Sequence, residues 1–143
     1  MLSLLSEHYE SILKHAYQGF PNEACGLLAG NIVNEEKIIR HVYLLRNTDE
    51  SPEHFSMDPQ EQFKAIADMR ARGLVLIGNF HSHPASPARP SQEDIRLAFD
   101  PSLSYIIVSL QGGTPELKSF FIQRGVVTEE PYRVLEHETD TTP

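Results

Sequence analysis

Residues 74–83, Leu-Val-Leu-Ile-Gly-Asn-Phe-His-Ser-His, constrain the fold more than any other stretch of the chain. The run starts after Gly73, a natural helix stop, and ends at Pro84, whose ring removes the amide proton a sheet ladder needs. An apolar run of this length between two breakers reads as a central strand. Such a strand needs partners on both edges, and the remaining segments are suited to supply them.

Tyr9, Ile12, Leu13, Ala16 and Tyr17 recur at helical spacing, which predicts an amphipathic helix over 6–18, with Ser6 as N-cap and Gly19 and Pro21 as its stop. Residues 24–30 read as a buried strand, 31–34 as a turn and 37–46 as a second strand. The polar stretch 47–57 lacks periodicity and is expected to form a loop or an irregular edge. Asp58-Pro59 is a helix-start signal, and Phe63, Ile66, Ala67 and Arg70 carry that helix to Gly73. Past the central strand, Pro84, Pro87 and Pro90 make a rigid loop and 91–99 a short helix. Three strands follow, over 104–110, 117–123 and 126–135. The expected fold class is α/β: a single domain over 1–136, with a mixed β-sheet flanked by helices, and a polar C-terminal tail at 137–143.

With 143 residues, such a domain is large enough to fold without disulfide staples. The formal net charge of −8, from 12 basic and 20 acidic residues, argues against nucleic acid and against an anionic membrane surface, both of which select clustered Lys and Arg. Cys25 is the only cysteine, which excludes an internal disulfide and a cysteine-based metal cluster. A lone thiol fits a reducing compartment. The N-terminus meets Glu7 and Glu10 without a basic region, so it does not read as a signal peptide, and no apolar run approaches the ~20 residues of a membrane span. The expected location is the cytoplasm.

The central strand ends in chemistry. His81 and His83 stand two residues apart, so on a strand their side chains project to one face and can converge on one ion. The proline-stiffened loop then returns the chain to a helix whose first turn carries Asp94. Two imidazoles and one carboxylate leave a fourth tetrahedral position open, as catalytic zinc requires. The same donor set describes the facial triad of non-haem iron oxygenases, and Ser91-x-x-Asp94 alone is a serviceable capping box. Both readings of Ser91 can hold together, with Ser91 capping the helix while Asp94 turns toward a metal. Hydrolysis by zinc also needs a carboxylate that is not a ligand, and several acids could serve. Glu23 stands out because it lies between a helix end and a buried strand, where an unpaired carboxylate is costly. Its other reading is a first-strand residue facing solvent.

Pro21-Asn-Glu-Ala-Cys-Gly-Leu-Leu-Ala-Gly30, then His81-Ser-His-Pro84, seven residues, and Ser91-x-x-Asp94 together resemble the signature of the JAMM (MPN-plus) zinc metallopeptidases, in particular their small stand-alone prokaryotic type. The resemblance runs from the first helix to about Val108 and is weaker beyond it. It implies the JAMM/MPN fold, which is cytidine-deaminase-like, with Zn2+ held by His81, His83 and Asp94. It further implies Glu23 as general base and acid and Ser91 as a donor to the tetrahedral oxyanion. Asn79 departs from the family, whose members more often carry an apolar residue there.

Family members cut after the C-terminal Gly-Gly of ubiquitin or its relatives, so the implied partner is a ubiquitin-like or sulfur-carrier protein with a Gly-Gly tail. The implied reaction is attack of metal-activated water on the carbonyl after glycine. A catalytically silent scaffold is the main competing function, since relatives that lack the site residues act in that way. A nucleoside deaminase shares the fold type, but the Pro-Cys-x-x-Cys ligand set it uses is missing from this chain.

Overall fold

Pro131 separates two strands that lie at opposite edges of the same sheet. In the computed structural model, which describes residues 1–136, the elements run β1 (Leu2–Leu5), α1 (Ser6–Gly19), β2 (Cys25–Val33), β3 (Glu36–Leu45), α2 (Pro59–Ala71), β4 (Val75–His83), α3 (Gln92–Arg96), β5 (Ser104–Ser109), β6 (Glu116–Gln123), β7 (Val126–Glu130) and β8 (Tyr132–Leu135). One eight-stranded sheet holds them in the order β7-β6-β5-β4-β2-β3-β1-β8. A chain can pass from the first of these strands to the last through one residue only if the sheet curls until its edges approach. The Tyr132 hydroxyl accordingly donates across to the Leu117 carbonyl oxygen at 2.8 Å. The expected single strand over 126–135 is therefore two, because Pro131 cannot donate to a ladder and frees the chain to change partners.

The sheet is mixed, as expected: β1–β3, β1–β8 and β4–β5 are parallel, and the other pairs antiparallel. β4 is central, between β2 and β5. The turn expected over 31–34 lies instead at Asn34 and Glu35, both at positive φ (50° and 69°), the two-residue turn whose twist matches antiparallel strands, and 31–33 extend β2. Gly26 faces Phe80 across the β2–β4 ladder, and a Cβ there would strike the Phe80 ring and the Tyr43 carbonyl, so only glycine lets these strands close.

One expectation about the first helix is corrected, and a strand precedes it. Leu2–Leu5 form a buried strand between β3 and β8, a run too short for periodicity to reveal. Because that strand leads directly into α1, the N-cap is Leu5 without a side-chain hydrogen bond, and Ser6 is already helical. In α2, Asp58 caps as expected, accepting from the amides of Gln60 and Glu61. Its buried face, however, is Ala65 and Met69, whereas Phe63 is 76% exposed and Ala67 is exposed. Polar anchors set the rotation: Glu61 accepts from the Arg46 amide, and Asp68 accepts from the Tyr43 hydroxyl at 2.7 Å, turning that side of α2 toward β3.

Leu2, Leu4, Ile12, Ala16, Leu28, Phe80, Ile106 and Val108 form one apolar cluster, with α1 against the sheet. The opposite face carries a second cluster where α2 covers Cys25, Leu27 and Leu45, and a third where Ile95 and Ala98 meet Tyr105, Ile107 and Phe120. The short helix is only Gln92–Arg96, shorter than the expected 91–99, because the chain turns at Leu97 to seat Ala98. Among the described residues no helix is long and apolar enough to cross a membrane. The expected tail, 137–143, lies outside the described residues.

Candidate metal centre

Strand alternation separates the three residues of His81-Ser82-His83. The two histidines point to the face shared with α2 and α3, and Ser82 points away, where its hydroxyl oxygen accepts from the Ala24 amide at 2.7 Å. The Ser82 amide donates back to the Ala24 carbonyl at 2.9 Å. This reciprocal pair extends the ladder that sets Cys25 opposite His81, so Glu23 stands across from His83.

Both imidazoles and the Asp94 carboxylate converge. His81 Nε2 and His83 Nε2 lie 3.1 Å apart, and each is 3.1 Å from Asp94 Oδ2. His83 Nδ1 is 2.9 Å from the Pro87 carbonyl oxygen. A carbonyl only accepts, so Nδ1 carries the proton and the neutral ring presents a bare lone pair at Nε2. That lone pair faces a carboxylate oxygen and a second imidazole nitrogen, and either a proton on His81 Nε2, which would leave the buried Nδ1 lone pair without a donor, or a cation among the three atoms relieves their repulsion. Donors about 2.0–2.1 Å from a tetrahedral zinc stand about 3.3 Å from one another, close to the observed spacing. The residues fit a metal, and they form such a group among the described residues.

Asp94 reaches this point through the helix start. Ser91 caps α3 by accepting from the Asp94 amide at 3.0 Å, while the Ser91 amide donates to Asp94 Oδ2 at 2.9 Å. The capping box is thus present, and it leaves Asp94 Oδ2 turned toward the two histidines. Burial alone would raise the Asp94 pKa, but the imidazoles beside it and the Ser91 amide hold it well below the usual carboxylate range. Burial lowers the pKa of His81, which favours the neutral, ligating form.

Glu23 is 6% exposed, which rules out the solvent-facing reading. Burial pushes its pKa up to about 8 despite the opposing pull of His83. Ser91 itself is exposed at the rim.

The polar loop over 47–57 does more than the sequence suggested. Ser51 accepts from the Glu23 amide at 2.8 Å, and Asn47 donates to the Glu23 carbonyl at 3.0 Å. Phe55 stacks on His81 with ring centroids 4.6 Å apart and planes 22° from parallel. Neither contact has a sequence signal, because the partners are more than twenty positions away. Phe55 also lines a cavity of about 60 Å3 with Asn79, His81, Asp94, Leu97 and Ile107, which places the unusual Asn79 beside the metal-facing residues.

The prokaryotic homologs of the JAB domain match this chain over residues 5–123. The chain belongs to the JAB/MPN family. This JAB-domain chain is 35% identical over 137 residues to the CysO-cysteine peptidase of Mycobacterium tuberculosis, covering 95% of this chain and 92% of the relative. It is 32% identical over 123 residues to a probable TtuB-protein conjugate cleaving protease of Thermus thermophilus, covering 85% and 74%. The solution structure of a Desulfitobacterium hafniense protein, 53% identical, superposes with a TM-score of 0.89 over 99% of this chain and 97% of the other. The JAB/MPN chain is accordingly a JAMM-type hydrolase of peptide or isopeptide bonds, with the fold expected from its motif.

Proposed function

We propose that this protein is a cytoplasmic zinc peptidase that cleaves after the C-terminal Gly-Gly of a ubiquitin-like or sulfur-carrier protein. The observation that carries the reading is the convergence of His81, His83 and Asp94 on one point, with the buried Glu23 just ahead of the adjacent strand β2. Zinc held by those three groups supplies Lewis acidity and brings the pKa of water to about 7.

The remaining steps belong to the chain's own residues. Glu23, buried beside the site and ionised when a cation sits among the three donors, takes the proton of the attacking water and returns it to the departing amine nitrogen. Ser91, exposed at the rim and with its hydroxyl proton not used by the cap, donates to the carbonyl oxygen as negative charge develops. The narrow cavity between Phe55, Leu97 and His81 suits a tail without side chains. The named activities of the matched relatives, one on a carrier–cysteine adduct and one on a protein conjugate, support a carrier tail as the acyl side. A silent scaffold has no use for this residue set.

The test uses a carrier protein ending in Gly-Gly, bearing either a C-terminal cysteine or an isopeptide-linked lysine. Cleavage after the second glycine, abolished by a chelator and restored by zinc, is expected for at least one. Zinc-loaded protein that cuts neither would overturn the proposal.

A further inference from the structure

Among the metal-facing rings, His83 and His81 are held by different means. His83 is locked by its Nδ1 bond to Pro87, whereas His81 Nδ1 is buried and finds no partner among the described residues. Metal-bound imidazoles usually donate their second N–H to a fixed oxygen, which sets the ring plane. His81 has a parallel aromatic face in its place, the ring of Phe55 at 4.6 Å.

Phe55 is itself anchored. Its neighbour His54 pairs with Glu93 at 2.8 Å, and Glu93 precedes the metal-facing Asp94 on α3. The other end of the loop is bonded to the Glu23 backbone through Ser51 and Asn47, and Asn47 also donates to the His54 carbonyl at 3.0 Å. Asn47 Oδ1 accepts from the Ser56 amide at 3.0 Å, closing the loop on itself around Phe55. The loop is therefore a strap from the Glu23 backbone, across the His81 ring, to the helix bearing Asp94.

We infer that Phe55 is a positioning residue for the metal: by stacking on His81 it holds the imidazole plane in the ligating orientation, and the strap over 47–57 holds Phe55. The inference rests on the metal reading above. Its physical content is that a stacked ring resists rotation of the imidazole, because turning either plane forfeits the contact. A leucine of similar bulk fills the space without a flat face, and a tyrosine keeps the face.

The experiment measures zinc release from the full-length, zinc-loaded protein into excess colour-forming chelator, with melting of the metal-free proteins in parallel. Phe55→Leu is expected to release zinc about tenfold faster, the low end of what losing an orienting group costs. Phe55→Tyr should release at the wild-type rate, and the metal-free melting temperatures should stay together. Wild-type release from Phe55→Leu, or equally fast release from Phe55→Tyr and Phe55→Leu, would overturn the inference. Should Phe55→Leu fail to fold, His54→Ala decides: cutting the strap at its exposed end should speed release, and an unchanged rate would overturn it. A wild-type protein that retains no zinc would instead remove the metal reading, and this inference with it.

Discussion

His83 donates its Nδ1 proton to the Pro87 carbonyl oxygen, and this bond decides which ring nitrogen is left for a metal. The proline-rich loop therefore acts on the site directly, as well as carrying the chain from β4 to α3. Replacing Pro87 and Pro90 together with glycine should loosen the acceptor while leaving the sheet intact. Zinc release is expected to quicken by about 10- to 100-fold, the range for lost outer-shell partners, with an unchanged far-ultraviolet dichroism spectrum.

Ser91 divides its duties between backbone and side chain. Its amide holds Asp94 Oδ2 and survives any substitution except proline, whereas its hydroxyl caps α3 and faces the rim. Ser91→Ala should thus keep its zinc and lose about 1 kcal/mol of stability for the missing cap. Turnover should fall by about 10²–10³ if the hydroxyl is an oxyanion donor. Paired zinc analysis and kinetics check this, and unimpaired turnover would confine Ser91 to capping.

The raised Glu23 pKa has a consequence for metal-free protein. Its folded value, about 8, lies above the ordinary 4.5, so the folded state holds the proton more tightly than the unfolded chain does. The resulting stabilisation is fully present below about pH 4.5 and lost as the pH rises through about 8. Glu23→Gln cannot lose it. Melting of the two metal-free proteins at a series of pH values should show the variant's relative stability growing across that window. A constant difference would mean that the carboxylate is solvated.

Cys25 is fully buried opposite His81, and burial pushes its thiol up to about 12. Almost no thiolate exists at neutral pH, so the thiol is inert despite its position near the site. Cys25→Ser should cost about 1–3 kcal/mol for burying a hydroxyl and keep near-normal turnover. A loss of activity greater than about a hundredfold, with zinc and fold intact, would assign the thiol a catalytic part.

What could be read in the chain follows from how local the causes are. His81, His83, Ser91 and Asp94 lie within fourteen residues on a strand, a rigid loop and a capped turn, so alternation and capping chemistry sufficed to group them. Glu23 stood out by its position, but its place beside the histidines was implied only by family resemblance, because the Ala24–Ser82 bonds that bring it near span 58 positions. The strand Leu2–Leu5 was missed because four residues carry no period, and its partners, β3 and β8, lie far from it in sequence. The buried face of α2 was not legible because Tyr43 and Arg46, in and just after β3, set its rotation. Phe55 drew no notice because its polar surroundings read as loop, and the ring it stacks on lies on β4, 26 positions away.

The central claim is that His81, His83 and Asp94 hold the metal while Glu23 moves protons without binding it. Zinc content and cleavage of a Gly-Gly-linked carrier, measured together on Glu23→Gln and His83→Ala, test it most directly. Glu23→Gln is predicted to keep one zinc per chain and wild-type substrate affinity, with turnover lower by about 10²–10⁴. His83→Ala is predicted to lose zinc and activity together. Loss of zinc from Glu23→Gln, or wild-type turnover by it, would contradict the account.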